Sequence, residues 1–197
     1  MTDVIGKLAG IAPGSPLDRA RDNRPEARKH AQASYDALFS PKDFGGFPLV
    51  ERCAVASFVA ALHGQPETAD HYKQKLVAAG ASPDLAVAVA GEAMEAHTHG
   101  PYGHYPAGPL TLEDHAGLSY AVAPTPRRMM GNRLAAALEH THMLVFHPRD
   151  AAPPSLQALL DAGWSTTDIV TLSQLVSFLA FQIRVVAGLK VLNARPA

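Results

Sequence analysis

Helix-start signals recur along the whole chain, and nothing in it alternates with the period of two that a half-buried strand needs. Ser15 with Pro16, Asn23 near Pro25, Pro48, Pro66, Ser82 with Pro83, Thr125 with Pro126, and Ser165 with Asp168 each set a capping side chain or a first-turn proline ahead of an apolar helical pattern. The fold class that follows is all-α. These signals predict helices over 16–22, 25–39, 48–63, 66–79, 83–97, 127–146, 154–161 and 166–192, with Gly80 and Gly163 at C-terminal caps.

One stretch interrupts the helical pattern. Rich in Gly and Pro, it runs from Thr98 to Pro126, far longer than a tight turn and of a length that in compact domains often carries function. It divides a single domain over 1–197 into a helical extension (1–46), a first repeat (47–97), the loop (98–126) and a second repeat (127–193). A shift of 120 residues lays "LVERCAVASFVA" on "IVTLSQLVSFLA", matching Val50 with Val170, Ser57 with Ser177, Phe58 with Phe178 and Ala60 with Ala180. Duplication and the chance likeness of two apolar helices explain that match equally well.

A chain of 197 residues can bury roughly 70% of the surface its unfolded form exposes. Hydrophobic residues make up 47% and charged residues 18%, an apolar balance that points to surface covered by a second copy of the chain, hence a homo-oligomer. The formal net charge of −1 gives no field that would attract nucleic acid or an anionic membrane, and neither partner is expected. The most apolar stretch, Ile169 to Leu192, carries Gln174, Ser177, Gln182, Arg184 and Lys190 and reads as a buried helix of a soluble protein. With one cysteine, Cys53, the chain can form neither an internal disulfide nor a CxxC redox pair; together with the lack of a secretory signal pattern this suggests the cytoplasm.

Several residues are candidates for chemistry. Two histidines and a tyrosine, His63, His71 and Tyr72, gather at the turn "LHGQPETADHY", with Glu51 one helix earlier. His63 reads either as a proton carrier or as a C-terminal cap, and His71 either as a base tuned by a carboxylate or as a solvated side chain. Cys53 in mid-helix reads as a buried, inert thiol. In "LEHTHMLVFHPRD" Glu139 and His142 share a helix face, the Glu-x-x-His spacing of di-iron bundles. Only one clear copy is present, and Glu92, Glu95, His97 and His99 lack that spacing, so no metal is expected. His140 and His142 are expected to line a pocket between helices or simply to pack. "HPRD" reads as a turn in which Arg149 pairs with Asp150 or a neighbouring subunit. Gln182 and Arg184 interrupt the last apolar helix; a buried Arg184 would hold a substrate carboxylate or lock the two halves together. Tyr102, His104 and Tyr105 are rim or lid groups on the loop.

The stretches "PLVERCAVASFVAALHG", "KLVAAG" and "LLDAGWSTTDIVTLSQLVSFLAFQIRVVAGLKVL" resemble the carboxymuconolactone decarboxylase and alkylhydroperoxidase D superfamily, in particular its two-repeat, peroxidase-related members. The resemblance covers Pro48 to Gly80 and Pro153 to Leu192. It implies an all-helical fold and a dimer, trimer or hexamer. Redox members of the superfamily carry a glutamate, a CxxC pair and a histidine. If His63 and Gly64 stand in the usual turn, those places fall on Cys53, Gln65, Thr68 and Tyr72; counted from Glu51, the cysteine places fall on His63 and Pro66 and the histidine place on Asp70. Neither register restores the dithiol, and peroxide reduction by that route needs a thiolate and a second, resolving thiol.

The resemblance and the residue types together suggest a small-molecule enzyme using acid–base side chains, of the decarboxylase or hydrolase kind, with no cofactor. His63 or His71 would carry the proton, Glu51 would tune it and Arg184 would hold an anion. Tyr72, Tyr102, His104, His140, His142 and Gln182 would contact the substrate. Two other readings stand beside it: a peroxidase-related protein using Cys53, and a noncatalytic ligand-binding or scaffolding protein.

Overall fold

The computed structural model of the chain describes residues 3–194. Among these residues nine α-helices run in the order α1 (Val4–Leu8), α2 (Pro16–Arg21), α3 (Pro25–Phe39), α4 (Leu49–Leu62), α5 (Pro66–Ala78), α6 (Pro83–Glu95), α7 (Pro124–Phe146), α8 (Pro153–Asp161) and α9 (Thr166–Asn193). Two short 3₁₀ turns, Pro109–Glu113 and Pro148–Asp150, complete the regular structure, and no strand occurs among the described residues.

The starts lie where the caps indicate. The hydroxyls of Ser15, Ser82 and Ser165 accept the backbone N–H groups of Asp18, Leu85 and Asp168, and Pro16, Pro25, Pro66 and Pro83 open their helices. Two elements differ from expectation. α1, capped by Asp3, has only five residues and no apolar periodicity to announce it; it exists because Val4, Ile5 and Ala9 pack with Ile11, Ala31 and Val186 in a small second core. α7 begins at Pro124, earlier than expected, and breaks at Gly131, where φ is 80° and ψ is 156°. That backbone region is open chiefly to glycine.

α4 is the central helix. Residues 53–56 and 58–60 have no exposed surface, because α5, α6, α7 and α9 surround it. A helix so enclosed must be apolar on all sides, as "CAVASFVA" is. Its one buried charge, Arg52, satisfies its guanidinium on three carbonyls of the preceding segment: Phe47 at 2.7 Å, Leu38 at 2.8 Å and Phe44 at 2.9 Å.

α9 packs against α4, α7, α3, α1 and α8. By length and composition it could cross a bilayer; in the fold it buries Leu172, Leu175, Val176, Leu179 and Ile183 and leaves Val170 and Phe181 half exposed. The two stretches related by the 120-residue shift lie on α4 and α9, which touch. Val55 with Leu175, Phe58 with Phe178 and Val59 with Leu179 are buried at matching positions.

Candidate functional site

The turn between α4 and α5 is closed by Gly64, whose φ of 62° lets the chain reverse after His63 caps α4. His63 is half-buried, its Nε2 has no partner, and burial together with the nearby Arg184 guanidinium lowers its pKa. Arg184 itself is exposed and donates to Ala180 of its own helix at 3.2 Å. The expected buried arginine is therefore a surface one. Its place on α9 faces outward while Gln182, two residues earlier, faces inward.

His71 and Tyr72 sit deeper. His71 Nε2 lies 3.3 Å from the Tyr35 hydroxyl, and burial beside Lys75 and Lys7 pushes the imidazole down to about 4. Such a group is neutral at pH 7 and too weakly basic to act well as a base there. Tyr72 is fully buried and donates its hydroxyl proton to Gln182 Oε1, a bond between α5 and α9 that leaves Gln182 Nε2 without a partner. Cys53 is also fully buried, and desolvation pushes its thiol up to about 11, opposite to the shift that makes a cysteine reactive.

Glu51 is engaged elsewhere. Both its oxygens lie 3.2 Å from Nε of Arg133 on α7, whose other nitrogens donate to Gly163 at 2.7 Å and Gly46 at 2.6 Å while its guanidinium lies 4.1 Å from the centre of the Trp164 ring. Glu51 and His63 stand at opposite ends of α4, about 18 Å apart along a straight helix. Glu51 is thus a tertiary clamp and cannot tune the turn histidines.

A different group converges at the end of α7. A cavity of about 220 Å³ is lined by Tyr120, Glu139, His140, His142, His147 and Asp150, with Ser119 and Ser155 among its other walls. His147 ends α7, and the 3₁₀ turn that follows brings Asp150 back so that its Oδ2 lies 3.1 Å from His147 Nδ1. The backbone N–H of His104 donates to the other oxygen at 2.7 Å and helps to hold the carboxyl below its usual pKa. An ionised carboxylate only accepts, so Nδ1 carries a proton, and in the neutral ring Nε2 is left as the acceptor.

The long loop fixes this pair. Tyr102 stacks on the His147 ring with centroids 4.8 Å apart and planes 17° from parallel, and its hydroxyl donates to Leu118 at 2.7 Å. His142 meets His147 edge-on at 5.7 Å and donates Nε2–H to the Ala96 carbonyl at 3.1 Å; burial pushes it down to about 4, so it stays neutral. Tyr120 donates to Glu92 at 2.6 Å, and burial beside that carboxylate raises the phenol far above its usual range. Glu139 accepts the Val122 N–H at 2.9 Å and pairs with Arg127. Buried His140 is lowered by desolvation, and its Nδ1 has no partner.

No protein-family model and no curated protein sequence matches the chain. Among solved structures it is similar to the crystal structure of an alkylhydroperoxidase AhpD core, an uncharacterised peroxidase-related protein from Ralstonia eutropha JMP134. The match covers 91% of this chain and 76% of that one, with a TM-score of 0.58 and 18% identity. The chain has an alkylhydroperoxidase D-like fold. At that identity the likeness establishes the backbone arrangement alone.

On this alkylhydroperoxidase D-like scaffold the residues considered from the sequence separate into two places. His63 with Arg184, and Tyr72 with Gln182, lie about the α4–α5 turn and α9; His140 and His142 line the α7 cavity, with Tyr102 and the His104 backbone against its dyad. Neither Tyr120 nor His147 was given a role from the sequence, and Asp150 was offered to Arg149. Arg149 instead lies over the Tyr105 ring at 4.0 Å. The signal for the pair was present in the His-x-x-Asp spacing of "HPRD", which a 3₁₀ turn folds onto itself.

Proposed function

We propose that the protein is a small-molecule enzyme working by acid–base chemistry, of the hydrolase or decarboxylase kind, with its active site in the α7 cavity and not at the α4–α5 turn. The observation that carries this reading is the His147–Asp150 pair: an imidazole on a cavity wall, oriented by a carboxylate and backed by a stacked tyrosine. In such an arrangement Nε2 takes a proton from water or from the substrate, Asp150 stabilises the imidazolium, and the same proton is returned to the leaving atom. The similar crystal structure is described as peroxidase-related, but with one cysteine, fully buried, dithiol peroxide reduction is not the reading favoured here.

The proposal includes a homo-oligomer in the cytoplasm, supported by the exposed apolar side chains Val170 and Phe181 on α9 and by the absence of a second cysteine. Turnover of a panel of small lactones and esters by the wild type, His147→Gln, His63→Gln and His71→Gln tests the site. A loss on the order of 10²-fold to 10⁴-fold confined to His147→Gln supports the reading. Loss in the turn variants with His147→Gln unaffected would move the site back to the turn.

A further inference from the structure

The charges around the α7 cavity bear on what enters it. Two carboxylates, Glu139 and Asp150, belong to its wall, and among the described residues no lysine or arginine does. Arg127 reaches the site only to pair with Glu139, and Arg149 lies on Tyr105. The wall histidines His140 and His142 are kept neutral by burial, so they add no cationic partner. A substrate carboxylate would therefore leave water for a space whose wall charges are carboxylates, with the nearby arginines already taken up by Glu139 and by the Tyr105 ring.

The hydrogen-bonding groups are equally one-sided. His147 Nε2 is an acceptor, because Nδ1 is committed to Asp150, and the Tyr120 oxygen accepts because its proton goes to Glu92. Donors on the wall are the Ser119 and Ser155 hydroxyls. His140, less than a tenth exposed, adds an unpartnered ring nitrogen. At about 220 Å³ the space holds a molecule of few heavy atoms, below the roughly 300–1,000 Å³ of drug-sized sites.

Resting on the hydrolase form of the active-site reading above, we propose that this cavity takes a small uncharged carbonyl compound bearing an O–H or N–H group, and excludes carboxylate anions, which sets the decarboxylase form aside. The O–H or N–H meets His147 Nε2, and the carbonyl oxygen meets a serine hydroxyl. This class differs from the carboxylate substrate that a buried Arg184 was expected to hold, since Arg184 is exposed on α9.

Glycolamide, glycolate and ethanolamine form a matched test: each carries a hydroxyl, and they are neutral, anionic and cationic at pH 7.5. Binding is followed on the histidine ring signals by NMR, in the intact chain and in Glu139→Gln, which removes one wall charge. Saturable shifts of His147 and His140 with glycolamide, at least tenfold weaker with glycolate and recovering toward parity in Glu139→Gln, are the expected result. Glycolate binding as well as glycolamide, ethanolamine binding better than either, or no saturable shift with any probe would each overturn the proposal. Binding is read without turnover, so a catalytically silent cavity that still selects glycolamide would sink the enzyme reading and leave this one standing. Turnover of anionic substrates through His147 would do the reverse.

Discussion

His147 Nδ1 and the Asp150 carboxylate stand 3.1 Å apart at the exit of α7, joined by a single 3₁₀ turn. Asp150 is held in turn by the His104 N–H, so the loop, the helix end and the turn all converge on one imidazole. Asp150→Asn keeps the size of the side chain but can present its amide to Nδ1 and favour the other tautomer. Turnover is expected to fall by about 10²-fold or more, with the thermal midpoint nearly unchanged because Asp150 is partly exposed. Steady-state rates beside a melting curve decide the matter; a rate within twofold of wild type would remove Asp150 from the mechanism.

Cys53 makes the opposite kind of prediction. A fully buried thiol with its pKa pushed up to about 11 should react with iodoacetamide only when the chain opens. Alkylation in native buffer should track the unfolding rate and jump on addition of urea. Cys53→Ser puts a hydroxyl in an apolar place and should cost about 1–3 kcal/mol, read from urea midpoints, whereas Cys53→Ala should cost less. Neither variant should alter peroxide consumption from the wild-type background.

The sequence was legible where a local rule decides the outcome. Serine caps and first-turn prolines gave helix starts to within a few residues, because one hydroxyl or one pyrrolidine ring fixes the backbone there. α1 escaped because its stability comes from α3 and α9, not from its own five residues. The break at Gly131 escaped because the flanking sequence is still helical in character, and only the glycine's freedom at positive φ allows the bend. Residue types likewise suggested that His140 and His142 matter, but no spacing rule connects them to Tyr120, which reaches the cavity from the long loop, or to Tyr102, which stacks on His147. Glu51 was misjudged for the same reason: its partner, Arg133, is 82 positions away.

That Glu51–Arg133 contact should prove structural. Arg133→Met deletes an ion pair, two bonds to carbonyls and the stacking on Trp164 at once, leaving the Glu51 carboxylate partly buried without its cation. The expected cost is about 2–4 kcal/mol in chemical denaturation. Restoring part of that loss in the Arg133→Met, Glu51→Gln double variant would identify the stranded charge as a cause; strict additivity would exclude it.

Acid should weaken the fold through His71 and His142. Both are near 4 in the folded chain and near their ordinary 6.5 when unfolded, so between those values the unfolded state binds more protons. Stability is therefore full above about pH 6.5 and declines as the pH falls toward 4. Melting midpoints from pH 7.5 to 4.5 should fall, and His71→Gln or His142→Gln should flatten that slope even if it lowers the midpoint at pH 7. An unchanged slope in both variants would mean that other groups drive acid unfolding.

Gly117 offers a way to disturb His147 without touching it. A methyl group at this position would overlap the ring of Tyr102, which is 5% exposed and has little room to yield, because Phe146 and His147 stack along it. Gly117→Ala should therefore displace either the loop or the tyrosine, and with it the surface against which the imidazole rests. Because the clash falls on a buried ring, the global midpoint should also fall, by about 1–3 kcal/mol equivalent. The effect belongs to geometry: a displaced base loses much of its rate, since an error near 1 Å can cost 10²-fold. The ring signals of Tyr102 and His147 should shift together and turnover should fall by about tenfold or more. If turnover fell while those signals stayed in place, the loop would be acting on catalysis by some route other than the stacked pair.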